Sequence, residues 1–153
     1  MSSARKLRRR RADIDSFAAA LRELLGLFEA DEWSAGGYPS WKPRADAAPA
    51  ELARLAAKVD LLAGPAALAF QDSGVFVDWK PRGTMQTQRV NPAPAWRTIF
   101  DRDPMFGPDL ILQLCAQASG LLETRALDAE EDEAANRADV SDGPGAALAT
   151  TTE

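Results

Sequence analysis

The chain has 153 residues, 46% of them hydrophobic and 27% charged, with a formal net charge of -5, a size that suits one compact domain. It contains no histidine and a single cysteine, Cys115, which excludes Ser-His and Cys-His nucleophilic centres, imidazole acid–base chemistry, His-ligated zinc and any intramolecular disulfide. No stretch approaches the roughly 18 consecutive apolar residues of a membrane span, and the cysteine usage fits a reducing, cytoplasmic setting.

Charge divides the chain. Residues 1–12 carry Arg5, Lys6, Arg8, Arg9, Arg10 and Arg11 with no acid, giving +6. Acidic and amphipathic sequence follows where a twin-arginine signal would place an apolar segment, so the run reads as a basic arm of a protein that is not exported. Residues 121–153 hold nine acids against Arg125 and Arg137, giving -7. Past Asp139 the composition turns to Ser, Gly, Pro, Ala and Thr, which cannot offset ordering entropy by burial. The expected organisation is a basic arm (1–12), one compact domain (13–127) and an acidic, largely disordered tail (128–153). Arginine outnumbers lysine 14 to 4 and alanine reaches 30 residues, a bias that fits a GC-rich bacterial genome.

The first helical stripe is Ile14, Phe17, Leu21, Leu24 and Phe28, spaced 3, 4, 3, 4, with Asp13 or Asp15 available near the positive end of the helix dipole. Its length suits a core-facing helix rather than a free coiled coil. Pro49 is a good first-turn residue for a second helix carrying Leu52, Leu55, Val59 and Leu62, which Gly64-Pro65 should stop or kink. Val75, Phe76, Val77 and Trp79, bounded by Asp72-Ser73-Gly74 and Pro81, read as a strand. Its partner is either Ala67 to Phe70 or Met85 to Val90. Ala95 to Phe100 reads as a short helix held by Trp96, Ile99 and Phe100. A third long helix opens after Gly107 and Pro108, with Asp109 at its start, and buries Leu110, Ile111, Leu114, Ala118, Leu121 and Leu122 before fraying into the acidic run. The fold expected is mainly α (α+β): three principal helices with a minor antiparallel β element near residues 75–79. The alternative is an all-α bundle.

Trp41-Lys42-Pro43-Arg44 recurs as Trp79-Lys80-Pro81-Arg82, a shift of 38 residues. The same shift superposes the first two helical stripes and gives nine identities over residues 13–44 against 51–82, four of them in the tetrapeptide. A duplication would therefore consist of two such units packed together. Trp41, Lys42, Arg44, Trp79, Lys80 and Arg82 are the candidate binding residues: an indole beside two cations can stack on a ring and contact an anion. The competing reading places both indoles in the core and the cations in solvent.

Asp78-x-Lys80 at a strand end resembles the second half of the active-site signature of restriction-endonuclease-like nucleases, which implies carboxylate-held magnesium and a lysine assisting the attacking water. That family needs a further acid on a preceding strand. Asp72 falls in a predicted turn, so a surface ion pair is the better account. The scattered glycines form no phosphate loop, and no catalytic residue, cofactor or metal site is assigned. The leading expectation is a non-enzymatic protein-interaction or assembly module acting through helical and Trp-containing surfaces, with another protein or a second copy of the chain as partner. The alternative is a nucleic-acid accessory protein whose basic arm contacts phosphates.

Overall fold

The computed structural model describes residues 3–31, 40–80, 85–102 and 107–141. In chain order these form helix α1 (Ser3–Leu25), strands β1 (Phe28–Asp31) and β2 (Ser40–Pro43), helix α2 (Pro49–Ser73), strands β3 (Val77–Trp79) and β4 (Gln88–Val90), and helices α3 (Trp96–Arg102) and α4 (Gly107–Ser141). The fold is mainly helical with two small antiparallel sheets, β1 with β2 and β3 with β4. No helix among the described residues is long and apolar enough to cross a membrane.

Helix α1 is the middle element, packed extensively against both α2 and α4, which touch each other much less. A helix with two neighbours needs a broad apolar face. Ile14, Phe17, Ala18, Ala20, Leu21, Leu24 and Leu25 are all buried, and at 100° per residue they sweep an arc of about 160°, wider than the stripe of a helix with one neighbour. The alanines widen the predicted stripe without adding bulk, so both partners can approach closely.

The predicted stop at Gly64-Pro65 does not occur: α2 runs through Pro65 to Ser73. Proline removes one helical N–H, the one that would bond the carbonyl of Leu61. Leu61, Gly64 and Pro65 all lie on the exposed side, where water can satisfy that group. The opposite side carries Ala63, Ala66, Ala69 and Phe70 into the core, and ending the helix would lose that burial. The actual stop is Gly74, with φ +76°, whose N–H reaches the carbonyls of Phe70 and Gln71. Buried Ser73 completes the end: its hydroxyl donates to the Phe70 carbonyl at 2.8 Å and accepts from Val75 N–H at 3.1 Å.

Val75 and Val77 then turn inward while Phe76 and Asp78 turn outward, the alternation of a half-buried strand. The partner of β3 is β4, with Val77 opposite Val90. Ala67 to Phe70, the other candidate, belongs to α2. Asn91 fastens the following loop, donating to the Ala67 carbonyl at 2.9 Å and accepting from Ala93 N–H at 3.1 Å. Trp96, Ile99 and Phe100 are buried on α3 as expected.

Other boundaries also differ from the sequence reading: Phe28, expected on the first helical stripe, begins β1, because α1 ends at Leu25 before the turn at Gly26. Residues 3–12 are not a separate arm but the first turns of α1, and α4 carries the acidic run as helix to Ser141. Residues 142–153 lie outside the described residues. Beyond its first turn α4 buries Ile111, Cys115, Ala118, Leu122 and Ala126, while Leu110 and Leu114, expected inside, are half-buried. Leu121, expected inside, is 38% exposed, because it falls one position off that row.

The 38-residue repeat is not a structural repeat. At that shift the turn at Gly26 falls on Gly64 inside α2, and β1 falls on residues 66–69 of the same helix. The tetrapeptides also differ in place: Trp41, Lys42 and Pro43 lie in β2, the second strand of its sheet, whereas Trp79 is the last residue of β3, the first strand of its sheet, and Pro81 and Arg82 lie outside the described residues. A helix followed by a two-stranded sheet does occur twice, but with unequal lengths and in another register.

Two glycines give opposite expectations. A Cβ on Gly107 would stand 2.6 Å from the Ile99 carbonyl oxygen and 3.1 Å from Ile99 Cγ2, so Gly107→Ala must push α4 off α3, at about 1–3 kcal/mol. A Cβ on Gly120 meets nothing within 4 Å, so Gly120→Ala should stabilise by about 0.5–1 kcal/mol. Urea unfolding of the two variants checks both signs.

Candidate functional site

Among the described residues, the candidates of the two tetrapeptides lie on two separate sheets. Trp41 stands on β2 opposite Ala30 of β1, half-buried and packed on the core. Lys42 is exposed opposite Glu29. Arg44 continues the pairing, its N–H donating to the Leu27 carbonyl at 2.8 Å, while its guanidinium turns to Asp46 at 3.3 Å. Trp79 is on the other sheet, opposite Gln88, and Lys80 is exposed beside it. The side chain of Trp79 and the whole of Arg82 lie outside the described residues.

Asp78 meets its cross-strand neighbour, with Arg89 Nε donating at 3.2 Å, both side chains being well exposed. Asp72 sits in the last turn of α2 and accepts from Arg10 Nε at 2.9 Å. The acid that precedes the acid-x-Lys pair in the chain, Asp72, is therefore engaged by Arg10. Among the described residues no three of His, Cys, Asp or Glu gather as metal ligands.

The basic segment, by contrast, is placed against the acidic run. Helices α1 and α4 pair antiparallel, and Arg8 bonds Glu130 through both terminal nitrogens, one at 2.8 Å from Glu130 Oε1. Arg11 donates to Glu123 at 2.8 Å and to Ser119 at 3.1 Å, and Ser119 donates to Asp15 at 2.9 Å. Glu133 accepts from the Ala4 N–H at 3.4 Å, placing a carboxylate where the first turn of α1 has no internal partner. Arg125 closes the far side, donating to the Asp72 carbonyl at 2.6 Å, one of the unpaired carbonyls at the end of α2. The opposite charges of the chain's two ends were the sequence signal for this clasp.

Below the clasp, Arg11, Asp15, Arg22, Cys115 and Ser119 line a crevice of about 400 Å³ between α1 and α4. Cys115 is 1% exposed, and burial pushes its thiol up to about 12. It is a packing residue rather than a nucleophile.

At the opposite end of α1 lies an apolar cleft of about 170 Å³. Leu24 and Phe28 supply one wall, Leu52 and Ala56 of α2 another, Trp96 and Phe100 of α3 a third, and Pro43 of the first tetrapeptide reaches its edge. Phe100 meets Phe28 and Trp96 edge to face, with centroids 5.2 and 6.0 Å apart. Asp60 holds this arrangement to α2: it accepts from Trp96 Nε1 at 2.9 Å and from Arg97 through two nitrogens, the shorter contact 2.7 Å. Arg97 also lies 5.1 Å from the Trp96 ring centroid. The Arg97 hydrogen bonds, helped by that of Trp96, hold the Asp60 carboxyl below its ordinary value despite partial burial. No local pattern marks Asp60 or Arg97 in the sequence, since they meet across 37 positions.

Two measurements follow. Asp60→Ala leaves the Trp96 N–H without its acceptor and should cost about 1–3 kcal/mol near neutral pH. A carboxyl lowered on folding contributes above its unfolded pKa of about 3.9 and loses that contribution as pH falls through its lower native value. The gap between wild type and variant in urea unfolding should therefore narrow in acid. Native Cys115 should react with a disulfide reagent at least about 100-fold more slowly than the urea-unfolded chain.

No protein-family model, no curated protein and no solved structure matches this chain.

Proposed function

We propose that the chain is a non-enzymatic, intracellular protein-interaction module, and that the aromatic cleft between α1, α2 and α3 receives a large apolar side chain of its partner. The observation that supports this reading is the cleft itself: apolar walls, a set of edge-to-face rings, and a charged rim at Arg97 and Asp101. Buried anchors within a polar rim are the features that concentrate binding energy in protein interfaces. The non-enzymatic part rests on the absence of histidine and on Asp78 being engaged by Arg89. An open arginine arm reading phosphates has less support, because Arg8, Arg10 and Arg11 are engaged by Glu130, Asp72 and Glu123.

Peptide-display selection against the full chain tests the reading. Selected peptides should share a large apolar residue, and Ala56→Glu, which sets a charge in the cleft wall, should weaken them at least tenfold, about 1.4 kcal/mol. Lys58→Ala, on the exposed side of α2, should leave them unchanged. Peptides whose binding ignores Ala56→Glu would overturn the proposal.

A further inference from the structure

The clasp between α1 and α4 is held together differently from the rest of the helix pair. From Ile14 onward, α1 buries large apolar side chains opposite Ile111 to Leu122. Over residues 3–12 only Ala4 is buried, with Leu7 half-buried, and beyond Leu122 the only buried α4 residue among those described is Ala126. Charge is what joins these ends. The ion pairs are between a quarter and half exposed, a setting in which each pair contributes little and salt weakens it.

The cations of the clasp are arginines, whose planar fork fits phosphate as well as carboxylate. Arg8 and Arg11 point to α4, whereas Lys6 and Arg9 are exposed and form no ion pair among the described residues. An incoming polyanion would meet Lys6 and Arg9 first and could then compete with Glu123 and Glu130 for Arg11 and Arg8. The exposed part of this segment carries no large apolar side chain to enter a lipid interface. Nucleic-acid phosphates suit it better than a membrane.

We propose that the clasp is an autoinhibitory contact in which Glu123, Glu130 and Glu133 of α4 cover a phosphate-binding face of α1, and that nucleic-acid backbone binds by displacing them. This face lies 16 residues from Leu24, about 24 Å along α1, so it is independent of the cleft.

The test compares two triple variants of the full chain with equal charge. E123Q/E130Q/E133Q removes the carboxylates that face α1. D128N/E131Q/D132N removes three acids of the same helix that make no ion pair among the described residues. At low salt the first should bind a labelled DNA duplex of about 20 base pairs roughly tenfold more tightly than wild type. The second should change affinity less than about twofold, because it alters net charge without opening the clasp. Adding R8Q/R11Q to the first variant should reverse the gain. If the triple variant does not fold, E130Q alone, which keeps the Arg11–Glu123 pair, should give a smaller gain of the same sign. Equal gains in both triple variants, no gain in the folded open variant, or a gain for phosphatidylserine vesicles without one for DNA would each overturn the proposal.

Discussion

Burial of α1 between α2 and α4 is the constraint on which the rest of this structure depends. The two outer helices make few contacts with each other, so the core exists because one helix presents an apolar arc wide enough for both. Ile14, Phe17 and Leu21 are fully buried, at about 1.5–3 kcal/mol each. The small residues between them let the flanking helices close. The same demand explains why α2 passes through Pro65: the second half of its buried face is needed to cover α1, and the cost of one missing hydrogen bond falls on the solvent side.

Along α1 the character of the contact with α4 changes from apolar packing to charge pairing. That change follows from composition, since the first turns of α1 offer arginine where later turns offer Phe17, Leu21 and Leu24. The apolar portion is less weakened by charge screening and buries Cys115, while the charged portion is solvated and screened. Opening should therefore begin at the charged end, and local stability grades along a single helix pair. Within the acidic run Glu130 and Glu133 meet α1, and beyond Leu122 Ala126 is the one buried residue among those described.

The cleft at the other end shows the complementary arrangement. One partly exposed carboxylate, Asp60, gathers an indole N–H and a guanidinium, fixing Trp96 and Arg97 of a seven-residue helix that would be unstable alone. Gly107 contributes from below, since only the absence of a side chain lets α4 start against the Ile99 carbonyl. The aromatic rings of the cleft are held by polar contacts at the rim and by packing behind them.

Much of this was legible from local pattern. The stripes of α1, α2 and α4, the short helix around Trp96 and a strand within residues 75–79 follow from periodicity and β-branched composition, because those signals act within a few residues. The missing histidine ruled out whole classes of chemistry before any fold was known. What the sequence could not decide is what depends on distant partners: whether Pro65 ends a helix, whether acids after Leu127 are ordered, and which strand pairs with β3. Arg8 meets Glu130 across 122 positions and Trp96 meets Asp60 across 36, and neither pairing leaves a local trace. The two Trp-Lys dipeptides show the converse, since Trp41 and Lys42 lie together in the second strand of one sheet while Trp79 ends the first strand of the other and Lys80 follows it. Local preference chose the elements, whereas burial against α1 and long-range charge chose their ends, their pairing and the site.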